Sequence, residues 1–310
     1  RAINIKLDWR NQYCGIFELC HEGVTFYFID NEFYFSSFSL YSDYDMEKFC
    51  FFQKAALEIL QYVDFKPDVI HCHDWQTGMI PILLDAQFKK GDFYKDIKTV
   101  MTIHNLKYQG RFNLIETMTM LELPPYYFTI DKAEFYGDAN FLKAGLVYAD
   151  YITTVSPTYA GEIQSSTFGE GLNGLLSAKA DKLRGVLNGI DYCLYSPSTD
   201  QLIYSRYNTR DFTSGKQKNK FELQQRLGLD INKDVPMIGI ISRLVPQKGL
   251  DLIAHILPQL IDKDIQLVVL GTGDAGYEHL FSEAAWYNPT KVSANITFSN
   301  ELAHKIYAAS

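Results

Sequence analysis

Five uncharged residues, Met237–Ile241 (Met-Ile-Gly-Ile-Ile), run straight into Ser242-Arg243 and turn through Pro246. From Gly249 onward, apolar residues recur at helical spacing: Leu250, Ile253, Ile256 and Leu257. A charge-free apolar run reads as a buried parallel strand, and one that turns directly into an amphipathic helix commits the chain to a parallel sheet covered by helices. Arg243 and Lys248 fall at the carboxyl end of that strand, just before the helix N-terminus. Two cations and unpaired backbone N–H groups there make a local anion site. The plain alternative for this segment is an ordinary strand–helix loop with two solvated basic residues.

The same alternation recurs along the chain. Residues 24–29 are β-branched and aromatic and read as a strand ending at Asp30-Asn31. Residues 46–62 carry Phe49, Phe52, Ala56, Ile59 and Leu60 at helical spacing, with Asp45 placed to cap them. Strands are expected at 68–72, 98–103, 151–155 and 183–187, and helices at 77–88 and 141–149. Residues 192–214 are polar and turn-rich with no clear period, and read as a crossing between domains. Beyond them, helices at 216–227, 249–261 and 276–286 alternate with strands at 237–241 and 266–270. The expected division is therefore an N-terminal domain over 1–191, a crossing over 192–214, and a second α/β domain over 215–310. Alternation of this kind calls for parallel sheets with right-handed crossovers, and no short-period repeat interrupts it.

Composition narrows the function classes. At 310 residues, with 47% hydrophobic and 15% aromatic content, two ordinary cores are affordable and disorder is excluded. A formal charge of −8 argues against nucleic acid or an anionic membrane surface as partner. The 5 cysteines form no Cys-x-x-Cys pair, which suits a reducing cytoplasm and neither a disulfide framework nor a zinc site. The acidic residues at strand ends (Asp74, Asp191, Asp274) are single and separated, so no metal and no other cofactor is expected. No apolar run reaches membrane-spanning length.

In such sheets ligands bind outside the carboxyl ends of the strands. The polar residues there are Asp30-Asn31, His73-Asp74-Trp75, His104-Asn105 and Asn188-Gly189, then Ser242-Arg243 with Lys248, and Gly271-Thr272-Gly273-Asp274. Each has an unremarkable reading: a lone histidine is often packed, and Asp74 is placed to cap the helix after it. Gly271-Thr272-Gly273 lacks the third glycine of a dinucleotide fingerprint. Together they line one rim with carboxylate, imidazole, amide, guanidinium and ammonium. That rim suits a neutral polar group on one side and an anionic leaving group on the other.

Several of these segments are similar to bacterial glycogen synthases and plant starch synthases. His71-Cys72-His73-Asp74-Trp75-Gln76-Thr77 resembles that family's HxHDWQ segment. Thr102-Ile103-His104-Asn105-Leu106-Lys107-Tyr108-Gln109-Gly110 and Phe141-Leu142-Lys143-Ala144-Gly145 resemble two more of its motifs. So do Thr154 to Ile163 (through Ser156-Pro157), Asn188-Gly189-Ile190-Asp191, and Ser242-Arg243 through Gln247-Lys248-Gly249. The resemblance implies a GT-B fold, two Rossmann-like doubly wound parallel-sheet domains facing a cleft. It implies metal-independent transfer of glucose from ADP-glucose to the 4-hydroxyl of a growing α-1,4-glucan, with retention at C1, in glycogen biosynthesis.

The resemblance also implies roles. Arg243 and Lys248 would clamp the diphosphate; Asp74, His104 and Asn188 would face the glucose, with Asn105 as an orienting neighbour. Gly271, Gly273 and Phe298 would serve the nucleotide, the glycines by permitting close backbone approach and Phe298 by stacking on the adenine. The alternative for Phe298 is a buried aromatic at a strand end. Two family motifs, a lysine–glycine phosphate loop and a later Glu-Pro-x-Cys-Gly-Leu segment, do not occur in the chain. It is therefore expected to be an internal fragment with incomplete sheets, low stability and no synthase activity by itself. The competing readings are a nucleotide-sugar or glucan-binding module and another GT-B glucosyltransferase using UDP-glucose.

Overall fold

The computed structural model describes residues 1–37, 41 and 44–310. They form two compact units, Arg1–Asn188 and Gly189–Ser310. In the first, β1 (Ala2–Leu7), β2 (Arg10–His21) and β3 (Val24–Asp30) pair as an antiparallel meander. Alternating Ile3, Ile5 and Leu7 explain β1, with Ile5 and Leu7 fully buried. Two-residue turns close both hairpins, Leu7 pairing with Arg10 and His21 with Val24. Their positive φ angles (51° at Asp8, 51° at Glu22, 79° at Gly23) match the twist of tight hairpins. The helix Asp45–Glu58 then buries Phe49, Cys50, Phe51, Ala55 and Leu57. Tyr44, not Asp45, is its N-cap; Asp45 lies inside the first turn and pairs with Lys48 at 2.7 Å.

The remaining strands of this unit are β4 (Val69–His73), β5 (Lys98–Ile103), β6 (Arg111–Asn113), β7 (Glu134–Phe135), β8 (Asp138–Asn140), β9 (Tyr151–Thr154) and β10 (Leu183–Gly185). A parallel sheet of order β10-β9-β5-β4 forms the centre, with Met101 and Ile103 of β5 fully buried. The expected single helix over 77–88 is instead a 3-10 turn, Trp75–Thr77, a short α-helix, Ile80–Leu83, and a π-turn, Leu84–Phe88. Pro81 opens the α segment, where its missing N–H costs nothing. Gly78 admits the helix Phe141–Tyr148 so closely that a Cβ there would sit 2.1 Å from the Phe141 carbonyl oxygen.

In the second unit β11 (Met237–Ile241), β12 (Gln266–Leu270) and β13 (Val292–Asn295) form a parallel sheet in that order. Its centre is β12, buried throughout: Val268 and Leu270 meet Leu223, Leu302 and Ile306 on one face, Leu267 and Val269 meet Leu250, Leu257 and Phe281 on the other. Among the described residues β11 stands at one edge of this sheet and Ile238 is 39% exposed, where a buried strand was expected. An uncharged strand sequence specifies apolar faces but not a neighbour on each side.

Residues 192–214, expected as a crossing, are built into this second unit. His304 Nδ1 lies 2.6 Å from the Asp200 carboxylate, and both side chains are buried. Asn219 accepts from the N–H groups of Tyr204 and Ser205 at 2.9 and 3.1 Å and donates to the Ser205 carbonyl at 2.6 Å. A segment held by side chains of distant helices shows no period of its own.

Candidate functional site

The carboxyl ends of β4 and β5 are tied together by side chains. Asp74 follows β4 with φ 56° and ψ −173°, a conformation that side-chain-bearing residues rarely adopt. It makes no capping hydrogen bond to the turn after it; its Oδ1 accepts the backbone N–H of His104 at 2.8 Å. The alternative of Asp74 as a helix cap is thereby set aside: the side chain links two strand ends. His104 Nε2 lies 2.9 Å from His73 Nδ1, and the His71 and His73 rings lie 4.2 Å apart. His71 Nε2 meets the Thr102 hydroxyl at 2.6 Å, which meets that of Thr153 at 2.6 Å. Partial desolvation pushes the His71 and His73 pKa values down although both residues are exposed, the neighbouring imidazoles push the same way, and Asp74 opposes them at His73.

Asn105 Oδ1 accepts the N–H of Lys107 at 3.1 Å, so that side chain shapes its own loop. Asn188 lies exposed beyond the end of β10. Asp74, His104 and Asn105 are thus gathered at one sheet edge, while no contact joins Asn188 to them among the described interactions.

In the second unit, a cavity of 330 Å³ opens at the carboxyl ends of β11 and β12. Ser242, Arg243, Gly271 and Phe298 line it, together with Ser299 and Asn300, where the helix Asn300–Ala309 begins. Phe298 is 90% exposed, which overturns the alternative of a buried strand-end aromatic. The Ser299 hydroxyl accepts the Leu302 N–H at 3.2 Å and caps that helix. Lys248 ends the 3-10 turn Pro246–Lys248 and is exposed outside the cavity lining.

Both glycines stand hard against the Arg243 loop. A Cβ on Gly271 would lie 1.9 Å from the Ser242 carbonyl oxygen, and one on Gly273 would lie 2.3 Å from that of Leu244. Leu244 N–H donates to the Thr272 carbonyl and Asp274 N–H to the Leu244 carbonyl, both at 2.8 Å. The glycines bring their loop against the Arg243 loop, so they hold Arg243 in place through the chain itself.

Residues 1–178 match the starch synthase catalytic domain family. The chain belongs to that family. It is 53% identical over 307 residues to a glycogen synthase of Lachnospira eligens, covering 98% of this chain and 64% of the relative. A glycogen synthase of Clostridioides difficile is 50% identical over 315 residues, with 100% and 65% covered. The chain thus spans just under two thirds of the length of these relatives. Among solved structures, the catalytic domain of Starch Synthase IV from Arabidopsis thaliana, bound to ADP and acarbose, superposes with a TM-score of 0.93 at 30% identity, covering 100% of this chain and 65% of that one. The fold class is therefore the α/β GT-B class with parallel sheets, as the family resemblance implied.

Tyr195, Tyr307, Thr297, Ser299 and Asn300 line the cavity without having been expected there. Ser299 followed by acidic Glu301 is a readable helix start, and it marks where that lining begins. The contact of His73 with His104 has no sequence signal beyond the two residues standing at neighbouring strand ends. No helix among the described residues is long and apolar enough to cross a membrane.

Proposed function

We propose that the chain is part of a retaining glucosyltransferase that moves glucose from ADP-glucose to the non-reducing 4-hydroxyl of an α-1,4-glucan. The observation that carries this reading is the 330 Å³ cavity joining Arg243, Phe298 and the start of the helix Asn300–Ala309. A guanidinium and a helix N-terminus favour phosphate oxygens, and an exposed ring beside them offers a stacking face for a base. The ADP in the Arabidopsis relative supports the same ligand class.

Arg243 and Lys248 take the diphosphate, on which negative charge builds as the bond to C1 of glucose breaks. Fixed donors aimed at that developing charge lower the barrier without reorganising. Asp74, His104 and Asn188 take the glucosyl group, by its hydroxyls or by the positive charge developing on the ring, and Asn105 supports them by shaping the loop after His104. Residues 1–191 serve the acceptor side and 215–310 the nucleotide side. Among the described residues no group of three or more His, Cys, Asp or Glu side chains is placed to hold a metal ion. Arg243 and Lys248 are the cations assigned to the diphosphate. The cytoplasm is the assigned compartment, where the five thiols stay reduced.

The test is calorimetric titration of ADP into the chain. Binding that weakens on Phe298→Ala and on Arg243→Ala supports the reading; unchanged affinity in both contradicts it.

A further inference from the structure

We infer that His73 is a positioning residue for His104, fixing the ring and the tautomer of the side chain assigned above to the glucosyl group; the inference rests on that assignment. The backbone of each residue is held independently of the rings. His73 N–H donates to Thr77 Oγ1 at 2.6 Å, and Thr77 Oγ1 lies 2.8 Å from the His73 carbonyl. His104 N–H is held by Asp74. With both attachment points fixed, the 2.9 Å contact between His73 Nδ1 and His104 Nε2 decides where the His104 ring points.

The groups facing His73 are His71, His104 and Asp74. Partial desolvation and the two imidazoles favour the neutral ring, and the Asp74 carboxylate alone favours the charged one. His71, its ring tilted against that of His73, is itself tied into β5 through Thr102 and onward to Thr153 of β9. The row therefore rests on three adjacent strands of the sheet.

A neutral imidazole has one donor and one acceptor nitrogen, and its partner selects which. An isolated histidine prefers the proton on Nε2. That preference in both rings sets the Nε2–H of His104 against the Nδ1 lone pair of His73, so the two tautomers agree. Nδ1 of His104 is then left as an acceptor for a sugar hydroxyl. Without His73 the ring is free to turn and both tautomers become accessible.

The experiment uses the 310-residue chain with ¹⁵N-labelled histidine. In the unsubstituted protein the His104 Nε2–H should be visible with slowed solvent exchange. His73→Ala should lose that signal, and so should His73→Gln, whose acceptor lies elsewhere. His73→Asn should keep it, because its Oδ1 takes the place of imidazole Nδ1. In parallel, His73→Ala and His73→Gln should bind ADP-glucose about 5- to 10-fold more weakly, the size of one lost hydrogen bond, with ADP affinity unchanged. His73→Asn should stay within about twofold of the parent.

Identical His104 exchange in the parent, His73→Ala and His73→Asn overturns the inference. Equal weakening of ADP and ADP-glucose by His73→Ala overturns it as well, since that pattern marks general damage. His104→Ala separates this from the underlying assignment. It reports on the glucosyl role alone, whereas the exchange signal reports on His73 with no sugar present.

Discussion

The Asp74 carboxylate accepts the backbone N–H of His104 at 2.8 Å, joining the carboxyl ends of two neighbouring parallel strands. The backbone at Asp74 pays for this with φ 56° and ψ −173°. Such a conformation costs about 1–3 kcal/mol in a residue with a side chain and persists where the surroundings over-determine it, often at a functional site.

Glycine and alanine at position 74 both lose the carboxylate, but only glycine relaxes the backbone. Asp74→Gly should therefore be more stable than Asp74→Ala by about 1–3 kcal/mol in urea unfolding. Asp74→Asn keeps the acceptor and should lie above Asp74→Ala by about 1 kcal/mol. Equal stability of the glycine and alanine variants would remove the strain.

Gly271→Ala should destabilise the second unit by about 1–3 kcal/mol, because its Cβ meets the Ser242 carbonyl oxygen at 1.9 Å and that atom is backbone, not the free end of a side chain. Gly273→Ala should behave alike. Gly276, in the helix Ala275–Tyr287, has nothing within 4 Å of an added Cβ, and Gly276→Ala should stabilise by about 0.5–1 kcal/mol. Denaturant midpoints of the three variants check the order.

Much of this was legible in the residues. Lys98–Ile103, Met237–Ile241 and Gln266–Leu270 are strands where apolar runs meet polar ends, and their alternation with helices implied the parallel sheets. The antiparallel opening was not anticipated, although alternating Ile3, Ile5 and Leu7 and the Glu22-Gly23 turn carry its signal. The Asp200–His304 pair joins residues 104 positions apart, and no local pattern encodes it. Gly271 and Gly273 show a related limit: a glycine announces close approach but does not name its partner, and here the Ser242 and Leu244 carbonyls are among the atoms approached.

Phe298→Ala should weaken ADP binding by about 10-fold, the scale of one base–aromatic stack. Pyrophosphate affinity should not change, and neither should stability, since the ring is 90% exposed. Phe298→Tyr should restore ADP affinity. Equal losses for ADP and pyrophosphate would mean that the ring supports the loop and does not stack.

Stability should depend on pH through His71 and His73. Their folded-state pKa values lie below the ordinary histidine value, so between the two the unfolded chain binds more protons. Unfolding free energy should therefore rise with pH through the window below about 6.5 and level off above it. His71→Gln should flatten that slope. A slope of the opposite sign, or one untouched by the substitution, would contradict the direction of the shifts.

The central claim is the division of labour between phosphate-binding and glucose-binding residues, and ADP affinity tests it most directly. ADP carries the diphosphate and no glucose, so Arg243→Ala and Lys248→Ala should each weaken it by about 10-fold or more, with a reduced salt dependence. His104→Ala should leave it within about twofold of the parent. If His104→Ala weakens ADP as much as Lys248→Ala does, the division is wrong.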